Sequence, residues 1–219
     1  MTRESLTRWG LWALPLGGVL TFIPWLGLFF SKNPDPVKDP GGMAQEATSA
    51  GVIVLGDAYM IGTLCLLFGL LALYSVLAET SAGTWAAAGA IGGVVAMVLV
   101  IGVWMILVVG GAIVGDVVLS GHRDAGATYQ WMSGGHWNGR IVPVLTLLGV
   151  SGIVGAVGQG VAIWRSGRFP RWISIAFAVA FLLEAATFPG TIIGALLMVV
   201  TGFFIVRQVT TTGSLPALA

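Results

Sequence analysis

Apolar runs of membrane-spanning length alternate with short polar stretches along the whole chain. Residues 9–30 form the first run, bent by Pro15 and Pro24. Membrane helices tolerate proline where neighbouring groups satisfy the freed carbonyls. Residues 31–49 are polar and rich in proline and glycine, which reads as a loop. A second run covers 50–78, and a third covers 84–119. At 1.5 Å per residue the third would be about 54 Å long, against a hydrocarbon core of about 30 Å. Two full spans do not fit into it. It is expected to be one tilted or projecting helix, or one broken near Gly110 and Gly111.

A second polar loop, 120–139, precedes a fourth run at 140–164, where Pro143 falls in the first turn. The basic link Arg165, Arg168, Arg171 leads to a short fifth run, 172–187. Pro189-Gly190 then breaks the chain before a sixth run, 191–206. The expected fold class is therefore all-α, a single polytopic membrane bundle of six transmembrane helices over residues 1–219.

Positive charge orients this map. Arg3, Arg8, Arg165, Arg168, Arg171 and Arg207 fall on one side, which the preference for cytoplasmic arginine in short loops makes the inside. Both termini are then cytoplasmic. Loops 31–49 and 120–139 lie outside the cell membrane, with Lys32, Lys38, Arg123, Arg140, Asp35, Asp39, Glu46 and Asp124. Arg3 and Arg8 precede an apolar run too long for a cleaved leader, so the first span is expected to be retained. Most of the nine tryptophans fall near span ends, as an aromatic belt requires, but Trp104 sits mid-span.

Composition agrees with lipid as the solvent. The chain is 57% hydrophobic and only 9% charged, where soluble domains carry about 25% charge. Its 33 glycines recur at helical spacing: Gly149, Gly152, Gly155 and Gly158, then Ala156 and Gly160, and in the third span Gly89-Gly93, Gly92-Ala96 and Gly111-Gly115. Small residues at such spacing let helix backbones approach closely, which promotes packing where lipid removes the water-driven force. Gly152 and Gly155 are expected against another helix.

Polar groups at membrane depth carry what functional signal there is. Asp57, Asp116, Arg140 and Glu184 all fall toward the external half and form the candidate substrate- or ion-binding set. Asp57 is expected to face the bundle interior or an aqueous pocket, with Arg140 its charged partner, because a carboxylate against hydrocarbon is expensive. Glu184 reads as an interfacial or structural carboxylate, and Asp116 as a boundary residue. His122, Arg123, Asp124 and His136 are external-loop candidates. The two histidines could ligate zinc or copper, but their spacing is no metal signature. Cys65 is single and reads as a buried thiol, and haem ligation would need histidines inside the bundle. No cofactor is implied.

The chain holds no phosphate-binding loop, no GxSxG elbow and no HExxH motif. The basic link reads as a topology and lipid signal, so nucleic acid is not an expected partner. Membrane lipids are, together with a homo-oligomer or a larger membrane complex. Three readings of function follow. A non-catalytic subunit or assembly partner comes first, a small-solute or ion transporter using the external-half polar cluster second, and a membrane enzyme with an external His/Asp/Arg site third.

Overall fold

The computed structural model describes residues 3–29, 39–121, 138–184 and 190–211, with the side chains at 3–4, 28–29, 40 and 138–141 excepted. Every regular element among them is a helix. They are α1 (Arg3–Phe29), α2 (Pro40–Ala47), α3 (Ala50–Leu77), α4 (Gly83–Leu119), α5 (Asn138–Ser166), α6 (Arg171–Glu184) and α7 (Gly190–Thr211). Five are long and apolar enough to cross a membrane: α1, α3, α4, α5 and α7. The described part of α6, 14 residues, covers about 21 Å. The molecule is a multi-span hydrophobic helical bundle.

The packing closes into a ring. α1 lies against α3, α3 against α4, α4 against α5, α5 against α6, α6 against α7, and α7 returns to α1. The core within this ring is built from Leu66, Leu70 and Leu73 of α3, Phe177 and Phe181 of α6, and Met198 of α7. The expected 84–119 segment is one unbroken helix of 37 residues, continuous through Gly110 and Gly111. Short α2 lies beside its far end, where Gly115 faces Ala44 and Thr48. Its start is fixed locally: Asp39 caps it by accepting from the Gly42 amide at 2.8 Å, and Pro40 occupies the first turn.

Glycine sets the tightest crossing. On α5, a Cβ at Gly155 would lie 2.8 Å from the Gly93 amide nitrogen, and one at Gly158 would lie 2.5 Å from the Gly89 backbone. Gly92 in turn faces the Ser151 carbonyl and the Gly155 amide. The expected packing of Gly155 is thus found within this chain, against α4, and Gly152 is buried too. Gly160 approaches Ala178 and the Ser174 carbonyl of α6 instead. One stripe of small residues therefore serves two neighbours.

One end of the ring is basic. The Arg168 guanidinium donates to the Val76 carbonyl at 2.9 Å, and Arg171 stacks over Trp164 at 5.1 Å. Trp12 meets Phe203, and Trp172 meets Phe204 with centroids 5.0 Å apart. Gly167, at φ +63, provides the turn between α5 and α6.

Candidate functional site

Glu184 is the last described residue of α6 and a charged side chain drawn into the interior, with 7% of its surface exposed. Two routes give its level. Thirteen residues of α6 separate it from Arg171, about 20 Å of rise, and Thr63 beside it is about 20 Å along α3 from Val76. The carboxyl therefore lies about 20 Å from the basic end of the bundle. Gly194 of α7 lets the chain close over it, because a Cβ there would sit 2.6 Å from the Glu184 amide nitrogen and 2.8 Å from the Ala180 carbonyl oxygen.

Neither carboxyl oxygen finds a hydrogen-bond partner among the described residues. The carboxyl instead borders a cavity lined by Tyr59, Thr63, Ala96, Met97, Val100 and Phe181. Its volume, measured at the centre of a water-sized sphere, is about 10 Å³, the minimum for one water molecule. The Tyr59 hydroxyl lies near the same carboxyl, and the Thr63 hydroxyl and the indoles of Trp25 and Trp104 surround that hydroxyl. Thr21 of α1 approaches Glu184 from the other side.

The hydroxyls are not equivalent. Thr63 donates its own proton to the Tyr59 carbonyl at 2.9 Å, and Thr21 donates to the Gly18 carbonyl at 3.2 Å. With its proton so engaged, each hydroxyl retains lone pairs that can accept a hydrogen bond. The Tyr59 phenol is the group that can donate to a carboxylate. An aromatic cluster holds Tyr59 in place, with Trp104 at 4.6 Å, Trp25 at 6.0 Å, and Trp25 and Trp104 themselves 5.5 Å apart.

The other sequence candidates separate from this site. Asp57 is exposed on α3, so it does not face the bundle interior, one of the two settings expected for it. Gly56, Tyr59, Thr63 and Leu66 hold the buried stripe of that helix, and Asp57 falls off it. Its level, about 28 Å from Val76, is near the edge of the core, where exposure costs a carboxylate little. Asp116 is also exposed, about 50 Å along α4 from its start and beyond the core. The Arg140 side chain and all of His122, Arg123, Asp124 and His136 lie outside the described residues, so the Asp57–Arg140 pairing and the His122/His136 metal site do too. Among the described residues no group of three metal-binding side chains occurs. Cys65 is a half-buried free thiol.

Sequence reasoning missed Gln159. It is fully buried in α5, and both its amide atoms lack partners among the described residues. A lone amide inside an otherwise apolar run was the signal available. Trp104 did stand out in the sequence for its mid-span position, and the aromatic cluster is its explanation. No family model, curated protein or solved structure matches this chain.

Proposed function

We propose that the protein moves protons across the membrane, with Glu184 as the group that takes up and releases them. The observation that carries this reading is a carboxyl at membrane depth with both oxygens unpartnered among the described residues, bordering a water-sized cavity. Ionisable groups at such depth are expensive and mark proton or ion routes. A cavity of about 10 Å³ selects among the candidates. A dehydrated metal cation needs a shell of oxygen ligands, whereas a proton needs only a carboxyl, one water and the flanking hydroxyls. Six crossings with both termini inside complete the proposal, α6 and α7 forming the last pair. On that orientation Glu184 lies in the outer half of the bilayer, where the sequence placed the polar cluster.

The test is proton flux in sealed vesicles carrying an internal pH dye, driven by a potassium diffusion potential. The wild type is expected to exceed empty vesicles at least tenfold, and Glu184→Gln to fall to their level at unchanged yield and melting temperature. Wild-type flux equal to that of empty vesicles would reject the reading, as would full flux in Glu184→Gln.

A subunit role is the second reading, favoured by one feature. Beyond Trp104, α4 exposes Met105, Ile106, Leu107, Val109 and Ile113, and on α5 residues 142–147 are exposed on every face. Purification in mild detergent at a mass well above one 22.7 kDa chain plus its micelle, with a second polypeptide in fixed ratio, would favour it.

A further inference from the structure

Gln159 and Glu184 are the two buried side chains whose polar atoms all lack partners among the described residues, and they share one seam. On α5, Gly155 and Gln159 are one turn apart on the same face, opposite Gly93 and Gly89, which are one turn apart on α4. A Cβ at Gly89 would meet the Gln159 side chain at Cγ, 3.0 Å away. One turn along, a Cβ at Gly155 would lie 3.1 Å from Cε1 of Phe181, and one at Gly93 would lie 3.4 Å from its Cζ. The Phe181 ring, 1% exposed, therefore stands on the seam directly above Gln159. It also lines the Glu184 cavity. Along the helix axes the two polar groups are about 10 Å apart, one turn from Gln159 to Gly155 and nearly one more from Phe181 to Glu184.

A buried amide without partners is costly, and packing at a glycine crossing needs no amide. Leucine or methionine would fill the same space. What an amide adds is a donor and an acceptor on one planar group, which can accept a hydrogen bond from a water on one side and donate to a water on the other. Such a group orients a water file without titrating. The Phe181 ring reaches both the seam and the cavity, and it is packed against the glycines of the one and the lining of the other.

We propose that Gln159 is the inner polar station of the proton route and that the Phe181 ring is the barrier between it and the Glu184 cavity. Displacement of the ring from this position joins the two compartments by one or two waters. Its return separates them. The inference rests on the proton-transfer reading of Glu184, and its test is arranged so that the two fail separately.

Proton flux in the vesicles described above is compared for wild type, Gln159→Leu, Gln159→Met, Phe181→Ala, Glu184→Gln and Phe181→Ala/Glu184→Gln, with melting temperature measured for each. Gln159→Leu is expected to lower flux at least tenfold at equal or higher melting temperature, since it removes an uncompensated polar group. Gln159→Met, unbranched and of similar length, decides the point if the leucine variant folds poorly, and the same loss is expected. Phe181→Ala is expected to raise flux at least fivefold, and the double variant to return it to the Glu184→Gln level. Wild-type flux in the folded Gln159 variant overturns the inner station, and unchanged or lower flux in Phe181→Ala overturns the barrier. If Glu184→Gln abolishes flux while these variants leave it unaltered, the proton reading stands and the inference falls. If Glu184→Gln leaves flux intact, both fall.

Discussion

Replacing Gly158 with alanine adds one methyl group at the closest point of the α4–α5 crossing. The new Cβ would lie 2.5 Å from both the Cα and the nitrogen of Gly89 and 3.1 Å from the Trp85 carbonyl oxygen. All three are backbone atoms and cannot rotate away. Ordinary carbon contacts begin near 3.5 Å, so the helices must separate by about 1 Å along the seam. A gap of that size forfeits about a quarter to a half of each dispersion contact, and overpacking of this kind costs about 1–3 kcal/mol. The higher helix propensity of alanine offsets about 0.5–1 kcal/mol. The control is Gly149→Ala on the same helix, where the added Cβ meets nothing within 4 Å. Only the propensity gain applies there, about 0.5–1 kcal/mol. The two substitutions should therefore differ by about 2 kcal/mol in opposite directions from wild type, read from reversible unfolding in mixed detergent–SDS micelles. A Gly158→Ala protein as stable as Gly149→Ala would refute the close approach of α4 and α5.

Three further outcomes follow from the same geometry. Arg168→Gln removes the charged donor to the Val76 carbonyl at 2.9 Å and should destabilise the basic end by about 1–3 kcal/mol, measured by the same unfolding. Trp104→Ala, at a half-buried position, opens the cluster around Tyr59 and should cost about 2–3 kcal/mol, below the range of about 3–5 for a fully buried aromatic. In sealed cells, with Cys65 replaced by serine, single cysteines at exposed positions 45 on α2 and 120 should react with an impermeant maleimide, and one at 167 should not. The reverse pattern would invert the proposed topology.

The sequence carried the helices well, and the reason is physical. In lipid each backbone group must be satisfied within its own segment, so an apolar run of span length specifies a helix with little help from tertiary contacts. That is why the 84–119 run is found as one helix, and why Arg165, Arg168 and Arg171 cluster at one end. The Gly93–Gly155 contact was half legible. Small-residue spacing announced a crossing, but not that α4 would be the partner.

The site was much less readable. Asp57 and Tyr59 are two residues apart, and which of them turns inward depends on the rotation of α3, set by contacts with α1 and α4. Glu184 looked like a span-end carboxylate because a helix end at membrane depth has the same local sequence as one at the interface. Only the ring closure, which brings α3 and α1 beside the end of α6, makes it central. Gln159 gave a weak signal, since an amide is tolerated at many interhelical contacts, and its lack of partners is a property of the assembled bundle.

The central claim is that Glu184 is the group through which protons pass, and graded chemical modification tests it most directly. Vesicles are treated with increasing amounts of a hydrophobic carbodiimide, and the fraction of Glu184 carrying the adduct is read by mass spectrometry of the peptide containing it. Proton flux is measured on the same samples, with Glu184→Gln as the unmodifiable reference. Flux is expected to fall in direct proportion to the modified fraction and to reach the level of the Glu184→Gln vesicles when modification is complete. Full wild-type flux in vesicles whose Glu184 is wholly modified would contradict the account.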